Sequence, residues 1–93
     1  MIDKDSHIIN RVLDGDMDSF RTLMDSYSQR VFALVVRIVD NEADAEEITQ
    51  DVFLKVYKNL ARFDGWSMFS SWLYRIAYNE SISHTRKGRR EVA

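Results

Sequence analysis

The first half of the chain alternates apolar and polar residues with the period of an α-helix. A short apolar stripe predicts a first helix over about residues 5–13, and Gly15 suits the turn that ends it. A longer stripe predicts a second helix over about residues 17–39, with Asp16 as its N-cap. The apolar positions of the two stripes are Ile8, Ile9, Val12 and Leu13, then Phe20, Leu23, Met24, Tyr27, Val31, Leu34, Val35 and Ile38.

The second half continues this helical pattern after a polar break. Asp44 and Glu47 have the spacing of a capping box, which predicts a third helix from there to about residue 61. A fourth helix is predicted over about residues 68–87, with Ser67 as its N-cap and Gly88 at its end. We therefore expect an all-α fold, a compact bundle of three main helices plus a short N-terminal helix.

Composition excludes several classes of protein. The 93 residues are enough for one domain with one core, and there is no cysteine for a disulfide, a thiol nucleophile or a cysteine metal site. His7 and His84 lie far apart in sequence, so we expect neither a metal site nor a serine–histidine hydrolase, and no cofactor. No apolar stretch is long enough to span a membrane and no signal pattern begins the chain, so we expect a cytoplasmic protein.

Charge is distributed unevenly along the chain. Residues 1–60 carry seven Lys and Arg against twelve Asp and Glu, whereas residues 61–93 carry six against three. The basic residues near the end are Arg86, Lys87, Arg89 and Arg90. This division suggests two surfaces with different partners, although a basic segment of this kind also occurs as a solvated terminus.

The third predicted helix has an apolar centre on its outward face. Its core face is formed by Ala45, Ile48, Val52, Val56 and Leu60, and the opposite face carries Glu47, Gln50, Asp51, Leu54 and Lys58. Phe53 and Tyr57 lie at the boundary between the two. An aliphatic centre with an acidic rim is typical of a protein-binding patch, although a single exposed leucine is also ordinary.

The fourth predicted helix carries cations beside aromatic residues. Its core face is formed by Phe69, Leu73, Ile76 and Ala77, and its outward flank by Arg75, Asn79, Ile82 and Arg86 next to Trp72. Arginine neutralises phosphate and aromatic rings stack on unpaired bases, so the pattern suits a single-stranded nucleic acid as well as an ordinary solvated face. The preceding loop, residues 63–69, is rich in aromatics. Either Trp66 packs on the fourth helix as a hydrophobic staple, or the loop holds a flipped-out base.

Three segments in this order resemble the region two domain of bacterial sigma factors, and together they point to the extracytoplasmic function (ECF) group. Residues 15–27, with Gly15, Asp16, Ser19 and Phe20, are similar to the start of that domain. Residues 44–53, DAEEITQDVF, resemble the acidic helix that docks on core RNA polymerase. Residues 63–79, FDGWSMFSSWLYRIAYN, resemble the promoter-melting and −10-reading segment. The resemblance covers about residues 7–90.

The resemblance implies a transcription initiation factor domain rather than an enzyme. Such a domain docks on the clamp helices of the polymerase β′ subunit, and it recognises and melts the promoter −10 element by binding the non-template strand. The residues implied for polymerase binding are Glu47, Gln50, Asp51, Phe53, Leu54 and Tyr57. Those implied for DNA binding are Phe63, Gly65, Trp66, Ser67, Phe69, Trp72, Arg75, Asn79, Ser83, Arg86 and Lys87. An anti-sigma factor is a further implied partner.

Three points qualify the resemblance. Glu80 falls on the core side of the fourth helix, where the family usually has an apolar or small residue, so we expect it either near the rim or beside a base such as Lys87. Thr85 replaces a usual leucine. The family continues into a second, −35-binding domain, so we expect this sequence to be a truncated form. The alternative function is a small helical adaptor that binds only proteins.

Overall fold

Four α-helices form the domain in a computed structural model that describes residues 4–92, with side chains described over residues 4–86. Within those residues there is no β-strand, so the predicted all-α fold is confirmed. No helix of this part of the chain is long and apolar enough to cross a membrane. The helices are α1 (Ser6–Leu13), α2 (Met17–Val39), α3 (Glu42–Asn59) and α4 (Phe69–Val92), and a 3-10 turn, Leu60–Arg62, follows α3.

The start of α2 is fixed by its N-cap, as predicted. The carboxylate of Asp16 accepts hydrogen bonds from the backbone N–H groups of Asp18 (3.1 Å) and Ser19 (3.2 Å), and from the Ser19 hydroxyl (2.8 Å). Because these bonds favour the charged form, led by that of the Ser19 hydroxyl, the pKa of Asp16 lies below its usual value. Gly15 has a φ of +103°, which ends α1 in a conformation that favours glycine.

Helix α3 begins three residues before the start that the predicted cap at Asp44 implies. Asp40 adopts a left-handed conformation (φ 55°) that ends α2, and Asn41 is the N-cap of α3, accepting a hydrogen bond from the Asp44 N–H at 2.9 Å. The predicted capping box at Asp44 is therefore wrong. Asp44 instead lies in the first turn, where a carboxylate is stabilised by the positive end of the helix dipole.

Both predicted ends of α4 are also wrong. The Trp72 N–H donates to the Met68 carbonyl at 3.2 Å, so Met68, and not Ser67, occupies the N-cap position. At the other end the helix continues through Gly88 to Val92. A glycine inside a helix costs only about 1 kcal/mol relative to alanine, so a helix can continue through it.

The core lies where α2, α3 and α4 pack against one another, and α1 covers one side of α2. The predicted core face of α3 is fully buried, as are Phe69, Leu73 and Ala77 of α4. Ile76 is only half-buried, because it lies at the edge of the α4 core face. Ser81 is buried instead, and its hydroxyl donates to the Ala77 carbonyl at 2.8 Å.

The two residues that depart from the family pattern both have partners. Glu80 lies at the rim of the core, as expected, and its carboxylate pairs with the Lys55 ammonium of α3. The side chain of Lys87, the base suggested for this role, is outside the described residues. The Thr85 hydroxyl donates to the Ser81 carbonyl at 3.0 Å, so its polar group is satisfied within the helix.

Candidate functional site

The outward face of α3 is acidic around an apolar centre. Glu47, Gln50 and Asp51 are exposed, as the sequence predicts. Leu54 and Tyr57 are 56% and 47% exposed, although both are large apolar side chains. Because the rest of the helix faces the core or carries charge, this face is a candidate protein-binding surface.

A groove between α2 and α3 extends this face. Phe20 and Tyr57 line it with ring centroids 5.0 Å apart, in an edge-to-face arrangement. Its lining is Met17, Phe20, Gln50, Phe53, Leu54 and Tyr57. Met17 and Phe20 were missed as site residues, because their position beside Leu54 depends on how α2 packs on α3. Met17 is 49% exposed and Phe53 is half-buried, so the groove is open to a partner.

Aromatic residues before and at the start of α4 form a cluster of edge-to-face and tilted rings. Phe63, Phe69 and Trp72 have ring centroids 5.3–5.9 Å apart. Phe69 is fully buried, whereas Phe63 and Trp72 are half-buried and leave ring surface at the edge of the cluster. We call these three residues the aromatic cluster.

The loop that carries this cluster presents a further aromatic ring to solvent. Trp66 is 87% exposed, so its interpretation as a hydrophobic staple is wrong. Gly65 has a φ of +78°, and the Trp66 N–H donates to the Asp64 carboxylate at 3.0 Å, which fixes the turn. Ser67 is half-buried beside it. The arrangement places an exposed indole next to the aromatic cluster.

The outward side of α4 carries the predicted cationic row. Arg75, Asn79 and Arg86 are exposed at steps of four and seven residues, and Ile82 between them is half-buried. We call Arg75, Asn79 and Arg86 the α4 row. Its first residue, Arg75, lies within one helical turn of Trp72, so the row starts beside the aromatic cluster and extends along α4. The predicted site residue Lys87 has its side chain outside the described residues.

Ser83 lies one turn after Asn79, in a cleft between α3 and α4. This cleft is lined by Glu47, Ile48, Asp51, Glu80, Ser83 and His84. His84 Nε2 lies 3.4 Å from a carboxylate oxygen of Asp44, at the start of α3. Two of the predicted polymerase-binding carboxylates therefore border a predicted DNA-binding residue.

The described residues contain no group of three or more His, Asp or Glu side chains placed to hold a metal ion. The surfaces that stand out are the acidic face and groove of α3, and the cationic and aromatic side of α4 with its loop.

Comparison with known proteins identifies the family to which these surfaces belong. The family model for Sigma-70 region 2 matches residues 23–91.

The chain belongs to the Sigma-70 region 2 family.

Relatives of this region 2 chain include ECF sigma factors from several bacteria. It is 40% identical to SigW of Bacillus subtilis over 85% of this chain and 42% of SigW. It is 38% identical to sigma-E of Escherichia coli over 92% of this chain and 45% of sigma-E, and 37% identical to sigma-H of Pseudomonas aeruginosa over 95% and 46%. The chain thus spans less than half the length of these relatives.

A solved structure of a region 2 domain has the same fold. It is an engineered region 2 of sigmaE in complex with GTAAAA, determined by NMR. The TM-score is 0.84 at 38% sequence identity, over 94% of this chain and 92% of that one. The four helices of the region 2 chain are therefore those of a sigma region 2 domain, a family whose members are not enzymes.

Proposed function

We propose that this chain is the part of an ECF sigma factor that docks on the β′ clamp helices of bacterial RNA polymerase and opens the promoter −10 element. The observation that carries the proposal is the near-complete structural match, at 38% identity, to a region 2 domain in complex with GTAAAA. The contrast between the two candidate surfaces supports it, since α3 presents an acidic and apolar face while α4 presents a cationic one.

Docking on polymerase uses the outward face of α3. Leu54 and Tyr57 supply the apolar centre that a partner would cover, and Glu47, Gln50 and Asp51 supply a polar rim that favours a basic partner. Phe53 is half-buried and supports the centre from beneath. We also propose an anti-sigma factor as a partner. Such a protein would cover this face and thereby prevent docking.

Promoter recognition uses the α4 side and the preceding loop. A non-template strand along the α4 row would bring an unpaired base to the exposed ring of Trp66 and the edge of the aromatic cluster. Stacking is worth about 1–3 kcal/mol per base, which offsets the few kcal/mol needed to unpair and unstack it. Melting then occurs because the domain binds the open strand more tightly than the paired one. The residues proposed are Phe63, Gly65, Trp66, Ser67, Phe69, Trp72, Arg75, Asn79, Ser83, Arg86 and Lys87.

The docking half of the proposal is tested by one charge reversal and one introduced charge on α3. We expect Asp51→Arg and Leu54→Glu each to abolish binding of core RNA polymerase in a co-purification assay while leaving the circular dichroism spectrum unchanged. The matched control is Asp14→Arg, a reversal of an exposed aspartate in the turn between α1 and α2. Retention of binding by both α3 variants would refute the assignment.

The DNA half is tested by fluorescence anisotropy with labelled single strands. We expect weak binding of GTAAAA, less binding of a scrambled strand, and a steep loss of affinity with salt. Arg75→Ala and Arg86→Ala should each weaken the binding of both strands and make the affinity less dependent on salt. The control Arg37→Ala removes an exposed cation on α2 and should have neither effect. Ser67→Trp should remove the preference between strands. Polymerase binding without any single-strand affinity would favour the adaptor function instead.

A further inference from the structure

Asp5 occupies the N-cap position of α1, but its side chain does not cap that helix. The N-caps of α2 and α3, Asp16 and Asn41, both accept hydrogen bonds from backbone N–H groups of the helices that they begin. Asp5 makes no side-chain bond of this kind to α1, whose residues are all described. Its carboxylate instead accepts a hydrogen bond from the hydroxyl of Tyr27 in α2. Asp5 therefore joins two helices rather than stabilising the start of its own.

Tyr27 extends this contact to the aromatic side of α4. Its side chain is only 2% exposed, and a buried phenol normally has a hydrogen-bond partner. Its ring meets Phe69 edge-to-face, with centroids 5.7 Å apart, and meets Tyr74 at 6.2 Å. The ammonium of Lys4 lies 5.9 Å from the centre of the same ring, within the range of a cation–π contact. The two residues before α1 thus contact both the hydroxyl and the ring of Tyr27.

Phe69 connects Tyr27 to the loop of residues 63–69, because it is the buried member of the aromatic cluster. Its ring contacts those of Phe63, at 5.8 Å, and Trp72, at 5.9 Å. These are the two rings that leave surface at the edge of the cluster. Packed interiors transmit small displacements, so the position of Tyr27 affects the rings proposed to meet a base.

Helix α1 also contacts the other end of this loop. It packs against the 3-10 turn, Leu60–Arg62, which comes directly before the loop. Leu60 is only 1% exposed, so this contact is part of the core. Residues 4–13 thus contact the chain just before the loop and, through Tyr27, the residue with which the loop ends.

We propose that residues 4–13 hold the loop in place for strand recognition, with Asp5 and Tyr27 as positioning residues. Neither residue has to touch the strand. They fix the aromatic cluster, so that an unpaired base meets rings that are already in place, and no ordering cost is added at binding. The effect on DNA rests on the proposed function, whereas the effect on the loop does not.

The positioning is tested first in the free chain, from the indole N–H resonances of the ¹⁵N-labelled protein. The two tryptophans are Trp66 in the loop and Trp72 in the aromatic cluster, so both resonances report on the site. We expect Tyr27→Phe, which removes only the hydroxyl, and Asp5→Ala to shift the Trp72 resonance in the same direction. Asp5→Asn keeps an acceptor oxygen and should leave it at the wild-type position. Unchanged resonances in Tyr27→Phe and Asp5→Ala would overturn the proposal.

The control Val35→Ala separates positioning from a general loss of stability. Val35 is fully buried in α2, about two helical turns further along than Tyr27, so its truncation destabilises the domain at a distance from the loop. We expect it to lower the urea midpoint at least as much as Tyr27→Phe and to leave the Trp72 resonance unchanged. Equal shifts in Val35→Ala and Tyr27→Phe would mean that the contact serves stability alone, against the proposal.

The consequence for DNA is measured as the ratio of the affinities for GTAAAA and for its scrambled strand. We expect Tyr27→Phe and Asp5→Ala each to lower this ratio roughly fivefold, the lower end of what one stacked base contributes. The double variant should lower it no further, since both changes remove the same hydrogen bond. Asp5→Asn and Val35→Ala should both retain the wild-type ratio.

Two outcomes separate this inference from the proposed function. A wild-type ratio in Tyr27→Phe and Asp5→Ala would show that residues 4–13 have no part in recognition. If the wild-type chain itself showed no preference between the strands, the proposed DNA function would fail. The indole resonances would then still decide whether Asp5 and Tyr27 position the loop.

Discussion

Truncation of Leu73 to alanine tests how α4 is seated on the rest of the domain. Leu73 is completely buried in the core shared by α2, α3 and α4. Leu54 provides a matched control, because it is the same residue type on a neighbouring helix but is 56% exposed. The two substitutions remove the same atoms, so the difference between their losses of unfolding free energy measures the effect of burial.

The expected loss for Leu73→Ala follows from that burial. Removing three buried carbon groups at about 0.8 kcal/mol each gives about 2.4 kcal/mol of lost transfer free energy. A residual cavity raises the total to about 3–5 kcal/mol, since a packed core relaxes only in part. Leu54→Ala loses less than half of the transfer contribution and leaves no cavity, so we expect about 1 kcal/mol or less.

Urea unfolding followed by far-ultraviolet circular dichroism measures both losses. Total stability for a domain of this kind is about 5–15 kcal/mol, so Leu73→Ala can approach complete unfolding. Leu73→Val, a smaller truncation, should then give a smaller loss in the same direction with an unchanged urea slope. A loss for Leu73→Ala no larger than that for Leu54→Ala would show that the core face of α4 is wrongly assigned.

Three further predictions concern polar features of the structure. Thr49→Val should raise the urea midpoint because it removes an unpaired buried hydroxyl, whereas Thr22→Val should change it little. The lowered pKa of Asp16 stabilises the fold above the unfolded pKa of about 3.9, and this contribution is lost as pH falls through the lower native pKa. The stability difference between wild type and Asp16→Asn should therefore change across that acidic window and be constant near neutrality. Glu47→Gln with Asp51→Asn should strengthen single-strand binding at low salt, and unchanged anisotropy would contradict this.

Local sequence signals predicted the helices and most of the core. Both bounds of α2 are as predicted. Gly15 and Asp16 mark its start, and the polar residues from Asp40 onward mark its end. The core face of α3 follows from helical period alone, since five positions at steps of three and four point to one side. The exposed α4 row was found by the same reasoning.

The features that the sequence did not predict depend either on a choice between neighbouring capping residues or on packing between helices. Asn41 and Asp44 are both good caps three residues apart, and the turn at Asp40 decides between them. The Lys55–Glu80 pair joins residues 25 apart in sequence, so its partner depends on how α3 and α4 pack. The unpaired hydroxyl of Thr49 depends on its rotamer within the packed interface, which a sequence does not specify.

The proximity of carboxylates to the proposed DNA-binding side has a physical consequence. Glu47 and Asp51 border the cleft that contains Ser83, so in the free chain they repel a strand near this end of the α4 row. A basic partner that covers the acidic face of α3 would neutralise them and remove that repulsion. By linkage, DNA binding would then strengthen docking by the same factor. Because surface charges are screened over about 10 Å at 0.1 M salt, the coupling should be modest and fall as salt rises. If the two proposed surfaces are correct, the acidic face of α3 would therefore disfavour DNA binding by the free domain, and a docked polymerase would remove that penalty.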